Sequence, residues 1–238
     1  MGRAFEFRKG RKLKRWGMMA KTFTKLGKEI AMSVKSGGPD PHNNSRLRAI
    51  VQNCKAANMP KENVERAIKK ASSKEQEDFK EVIFEGYALH GIAILAECTT
   101  DNNNRTVANV RSYFTKCGGS LGTSGMLDFI FERKSIFKIA GNENINVEEL
   151  EFEMIDVGAE EVFLDLENNQ INIYGEFTAF GAIQKFLEEK GYEILSADFE
   201  RIPNDTKEIT DEQAADVEKL IEKLEEDEDV LNVYHNMR

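Results

Sequence analysis

The chain has 238 residues, 40% of them apolar and 32% charged, a composition that excludes collagen-like, low-complexity and membrane-spanning proteins. Its three cysteines, Cys54, Cys98 and Cys117, lie far apart without a CxxC pair, which excludes a disulfide scaffold and a zinc knuckle and suits a reducing compartment. The net charge of −9 joins two unlike parts: residues 1–75 hold 19 Lys and Arg against 6 Asp and Glu, whereas residues 76–238 hold 14 against 36.

Such a basic head on an acidic body points to a polyanion as partner. Met1–Lys28 carries ten basic residues and one acid, Glu6. It lacks the apolar stretch of a secretory signal. The first serine is Ser33, unlike a mitochondrial presequence, and Glu6 occupies the place where a myristoylation signal needs Ser or Thr. A cytoplasmic protein is expected. Residues 1–19 read as an arm in which Arg3, Arg8, Lys9, Arg11, Lys12, Lys14 and Arg15 alternate with Phe5, Phe7 and Trp16. Cationic groups bind phosphates, and aromatic rings stack on unpaired bases. The same rings could anchor the arm to its own core.

Three helices are expected over residues 20–75. Phe23, Leu26, Ile30 and Val34 recur at helical spacing and stop at Gly37-Gly38. Lys21, Lys25, Lys28 and Lys35 cluster within about 80° on the opposite face. Leu47, Ile50, Val51 and Cys54 mark a second helix after Pro39-Asp40-Pro41. Pro60 opens a third, with Val64, Ala67, Ile68 and Ala71 as its stripe and Glu62/Arg66 and Glu65/Lys69 as supporting pairs. Residues 72–78 read as a linker.

The remainder is mixed α and β. Strands are expected at Val82–Tyr87, Ile92–Thr99 and Met126–Phe131, with a helix from Arg105 to Cys117 before the third. Residues 134–203 then read strand, helix, strand, strand, helix, strand, the ferredoxin-like order. An acidic helix over 211–229 and a strand at Val230–Tyr234 follow. The whole is α+β: a three-helix domain, a discontinuous central α+β domain of residues 79–133 plus 204–238, and an inserted ferredoxin-like βαββαβ domain at 134–203.

On the middle helix, Arg105, Asn109, Ser112 and Lys116 share a face opposite the apolar stripe, with Arg111 beside it. The loop after it, Gly118-Gly119-Ser120-Leu121-Gly122-Thr123-Ser124-Gly125, can offer backbone N–H groups to an anion. No acidic residue stands between Asn102 and Leu127, so a positive island is expected; a flexible connection with an Asx cap is the alternative. The loop is not a P-loop, because no Gly-Lys-Ser/Thr follows. Asp101-x-Asn103-x-Arg105 lacks the glycine and glutamate of a calcium loop. His42, His90 and His235 are isolated, and no hydrolase, zincin or Rossmann fingerprint occurs. Neither catalysis nor a metal or other cofactor is expected.

Several segments together resemble the YebC/PmpR family. They are Lys21-Thr22-Phe23-Thr24-Lys25, Gly37-Gly38-Pro39-Asp40-Pro41 with Asn44, Asn58-Met59-Pro60, Glu85-Gly86-Tyr87, Thr100-Asp101-Asn102-Asn103-Asn104-Arg105-Thr106, Lys116-Cys117-Gly118-Gly119 and Tyr234-His235-Asn236. The resemblance implies a three-domain α+β fold and nucleic-acid binding. Members are labelled DNA-binding transcriptional regulators, and the family includes mitochondrial translational activators and bacterial factors that relieve stalling at proline-rich stretches. A ribosome- or rRNA-binding translation factor is the favoured expectation, because lysine-rich helices read phosphate better than base edges. A DNA-binding regulator is the alternative. A monomer is expected, with no membrane and no small-molecule substrate. Two departures stand out. The opening is Met1-Gly2-Arg3-Ala4-Phe5 rather than the family's Gly-His-Ser-Lys-Trp, and a turn usually rich in glycine reads Ala88-Leu89-His90-Gly91.

Overall fold

The computed structural model describes residues 19–73, 79–142 and 145–238. By contacts the chain falls into two compact units. Among the described residues, one comprises 19–73 with 133–142 and 145–200, and the other 79–132 with 201–238.

The first unit begins with three helices, α1 (Met19–Gly37), α2 (Ser45–Ala56) and α3 (Lys61–Ala71). Leu26, Ile30 and Val34 of α1 are buried, as are Leu47, Ile50 and Cys54 of α2. Asn44 ties the first two helices together. Its Oδ1 accepts from the Leu47 amide at 3.0 Å, and its Nδ2 donates to the carbonyls of Ser33 (2.8 Å) and Gly38 (2.9 Å). The Asn44 amide lies so close to Gly37 that a Cβ there would come within 2.7 Å of it. Pro60 stands at the N-cap of α3, one residue before the position the sequence assigned it. Val64 and Ala71 are buried and Ala67 and Ile68 half-buried. The helix also carries a Lys61–Glu65 pair at 3.6 Å.

The rest of this unit is the expected βαββαβ module. It runs β4 (Phe131–Ala140), α5 (Val147–Ile155), β5 (Ala159–Asp165), β6 (Gln170–Glu176), α6 (Phe180–Glu189) and β7 (Ile194–Pro203), and the sheet order is β5-β6-β4-β7. Phe137, Ile139, Val162, Ile171 and Ile173 meet Leu150, Met154, Ile183 and Leu187 in its core. Asp165 closes the β5–β6 turn by accepting from the side chains of Asn168 and Gln170. The three helices join this module through α2. The Asn53 side chain donates to the Ala197 carbonyl (2.8 Å) and accepts from the Ala197 amide (3.0 Å), so it satisfies the outer strand β7 as a neighbouring strand would.

In the second unit, β1 (Lys80–Tyr87), β2 (Ala93–Thr100), α4 (Asn103–Lys116), β3 (Ser120–Leu121), α7 (Asp211–Glu226) and β8 (Val230–His235) form a sheet of order β3-β1-β2-β8 covered by two helices. Strands β1 and β2 pair antiparallel from Lys80 opposite Thr100 to Tyr87 opposite Ala93. Strand β2 is apolar on both faces because both are buried. Ile94, Ala96 and Cys98 pack with Val110, Phe114, Val217, Leu220, Ile221 and Leu224, while Ala93 and Leu95 pack with Leu127, Ile130 and Phe131. A capping box between Thr210 and Gln213 starts α7. The β1–β2 turn is left-handed at His90 (φ 61°) and Gly91 (φ 68°), a backbone that favours glycine.

One expected strand is absent. Met126–Ile130 is a succession of turns, the short strand before it is Ser120–Leu121, and Phe131 already belongs to β4. Leu127, Ile130 and Phe131 are apolar because they cover the second face of β2.

Candidate nucleic-acid interface

Arg3, Arg8, Lys9, Arg11, Lys12, Lys14, Arg15 and Trp16, the expected heart of the interface, lie outside the described residues. On α1, Lys21, Lys25 and Lys28 are half-buried and Lys35 is exposed, each with an interaction partner in the protein. The next two helices add cations that the sequence reading used only for helix pairing or passed over. Lys55, Arg66 and Lys69 are exposed and enter no ion pair among the described residues. Arg46 and Arg133 were also missed, because their setting is tertiary. The Arg133 guanidinium lies 4.1 Å from the centroid of the Phe177 ring and 5.0 Å from that of Phe199, and Arg46 lies 5.5 Å from Phe199. Such cation–π stacks strengthen packing and leave the cations charged.

The positive island on α4 is corrected by the structure. Asn102 caps the helix by accepting from the Arg105 amide at 3.2 Å. Arg105 then pairs with Asp101 at 2.8 Å and Asp229 at 2.7 Å. Asp229 is buried and also accepts from the hydroxyls of Thr106 (2.8 Å) and Thr100 (3.2 Å). One turn on, Asn109 donates to Asp227 at 3.2 Å and the Tyr113 hydroxyl donates to the same carboxylate at 2.9 Å. Burial, then the bond to Asp227, pushes the Tyr113 phenol up to about 12. The depression beside Arg105 and Asn109 is thus lined by Asp227, Glu228 and Asp229, three carboxylates beside one guanidinium. The acids come from the α7–β8 corner, far along the chain. Arg111 and Lys116 remain exposed.

The glycine-rich loop does bind an anion through its backbone, and that anion is internal. Glu85 on β1 is buried, and its carboxylate accepts from the amides of Gly125 (2.8 Å) and Leu127 (2.7 Å). Gly118 (φ 72°) and Gly119 end α4: the Gly119 amide reaches back to the Phe114 carbonyl at 2.8 Å and that of Gly118 to Thr115 at 3.2 Å. A Cβ on Gly119 would come within 2.7 Å of the Tyr87 carbonyl, so a neighbouring strand needs that space. Among the described residues no group of three or more His, Cys, Asp or Glu is arranged to hold a metal ion. No helix there is long and apolar enough to cross a membrane.

Comparison with known proteins agrees with this architecture. Residues 3–74 match the family model described as the TACO1/YebC protein N-terminal domain, and residues 79–237 match that of the TACO1/YebC second and third domain. The chain belongs to the TACO1/YebC family. A "probable transcriptional regulatory protein" of Flavobacterium johnsoniae is 65% identical over 238 residues, which is 100% of this chain and 99% of the relative. One from Flavobacterium psychrophilum is 64% identical over 100% of both chains. The crystal structure of a conserved hypothetical protein from Aquifex aeolicus superposes with a TM-score of 0.78 at 41% identity, covering 93% of this chain and 90% of that one. The break between the two TACO1/YebC models, residues 75–78, falls inside the linker expected from sequence.

Proposed function

We propose that this TACO1/YebC protein is a non-enzymatic, nucleic-acid-binding regulator. In this reading it works in the cytoplasm as a monomer and binds ribosomal RNA through its basic N-terminal segment to relieve stalling at proline-rich stretches. The observation that carries the reading is the charge division, with 19 basic and 6 acidic residues in the first 75 against 14 and 36 in the rest. A segment so charged is drawn to phosphate while the acidic body is repelled from it. The exposed Lys55, Arg66 and Lys69 add to the basic side. Pairing of Arg105 and Asn109 with aspartates argues against base reading by α4. The names of the relatives favour a second reading, DNA-binding transcriptional regulation.

Co-sedimentation with ribosomes at two salt concentrations, for the full chain and for a chain lacking residues 1–18, tests the proposal. If about six phosphates are neutralised, log K falls against log salt with a slope of about −4 on single strands, and truncation flattens it. Unchanged affinity and slope in the truncated chain would remove the arm from the interface. Tighter binding to a specific DNA duplex than to ribosomes would favour the transcriptional reading.

A further inference from the structure

Six large apolar side chains are exposed among the described residues, and four of them belong to one helix and the strand that follows it. Phe152 (78% exposed) and Ile155 (59%) lie on α5, while Leu164 (38%) and Leu166 (83%) lie at the end of β5. Phe152 and Ile155 are one turn apart and therefore neighbours on the helix surface. Glu153 fixes the rotation of α5, because its carboxylate pairs at 2.8 Å with Lys190, just beyond α6. At 100° per residue, Ile155 sits about 160° around the helix from Glu153, on the side away from α6. Leu164 pairs opposite Ile171 of the helix-covered core, so it shares the face on which α5 packs. Leu166 follows in the turn just after β5 and is the most exposed of the four.

Strand β5 is the outermost strand of its sheet among the described residues, with one backbone edge open. Exposed apolar side chains thus stand near both ends of an open strand edge, Ile155 before its start and Leu164 and Leu166 at its finish. That is the geometry by which a sheet accepts an added strand from another chain. The local charge decides the occupant. From Ile145 to Glu167 the chain has nine acidic residues and no Lys or Arg. Lys134 and Lys190 offset two of them, Glu160 and Glu153. Nucleic acid is repelled here. A second copy would bring the same acidic face.

We propose that the β5 edge and the outer side of α5 form a docking surface for an extended, cationic segment of a partner protein. Its alternate apolar side chains lie on Phe152, Ile155, Leu164 and Leu166, and its Lys or Arg residues lie among the glutamates. This surface is separate from the basic N-terminal segment and does not depend on which nucleic acid that segment binds.

The test uses the full chain, isotopically labelled, and a short synthetic peptide alternating Lys and Val. Amide shifts should move along β5 and α5, and fluorescence anisotropy should give saturable binding. Phe152→Ser combined with Leu166→Ser, both at exposed positions, should weaken binding about ten-fold with an unchanged melting temperature. Phe152→Lys alone should do the same by placing a cation where the peptide's apolar side chain would rest. A peptide with Glu for Lys, or with Ser for Val, should not bind measurably. Equal binding by the variants, shifts confined to other acidic surfaces, or no binding of the Lys-Val peptide would overturn the proposal. So would a wild-type dimer in sedimentation that Phe152→Ser disperses, which would make the occupant a second copy.

Discussion

Arg105 holds one buried carboxylate and one exposed one, and its removal would take the guanidinium from the buried Asp229. Arg105→Ala should therefore lower the urea midpoint more than Lys116→Ala, which should stay within about 0.5 kcal/mol of the parent. Equal stability of the two variants would show that the Asp229 pair contributes nothing. Tyr113 gives a pH signature. Its neutral phenol is favoured in the fold, so the folded value of about 12 exceeds the ordinary 10.0. Its contribution is complete below pH 10 and is lost as pH rises towards 12, because the unfolded chain ionises first. Tyr113→Phe should flatten that part of the stability–pH curve, read by chemical unfolding at fixed ionic strength. At this scale the sequence was legible in part. Helical periodicity places Arg105 and Asn109 on the outer face of α4. It is blind to Asp229, 124 residues further on, which decides what that face does.

The loop after α4 makes the corresponding point for an element. Four glycines and no acid read as a flexible cradle, and the apolar Met126–Phe131 run reads as a strand, because both inferences weigh only local residues. The deciding group is Glu85 on the neighbouring strand β1, 40 residues before Gly125 in sequence, and it takes up the amides of Gly125 and Leu127. Glu85→Gln turns one acceptor oxygen into a donor facing those amides. It should destabilise the second unit by about 1–3 kcal/mol and speed hydrogen exchange at Gly125 and Leu127 more than at β2. Exchange that rises equally everywhere would mean that Glu85 supports the sheet as a whole and not the loop. Elements with strong periodicity were readable: α1 ends at the expected Gly37, α7 starts at the expected Asp211, and the ferredoxin-like module has its elements in the expected order. There each buried stripe is complete within its own element, so no distant partner is needed to see it.

For the whole molecule, the interrupted second unit was readable because strands and helices were left over on either side of a self-sufficient βαββαβ run. The sheet order β5-β6-β4-β7 is the one that run requires, and the leftover pieces close into β3-β1-β2-β8. The joining of the three helices to the module through Asn53 and Ala197 was not readable. A single amide that satisfies a strand edge leaves no pattern in composition or spacing. The place of β8 in its sheet has a consequence for synthesis. Strand β2 is paired on one side by β1, made just before it, and on the other by β8, made last of all the elements. Until then Ile94, Leu95 and Ala96 lack their final cover, and the Ala93 amide lacks the Asn236 side-chain oxygen that accepts from it at 2.9 Å. The inserted module can close its own sheet while this edge waits. A growing chain therefore carries an apolar strand with one edge unpaired from the synthesis of β2 until that of β8, which makes the second unit the part most exposed to misassembly and to chaperones during its birth.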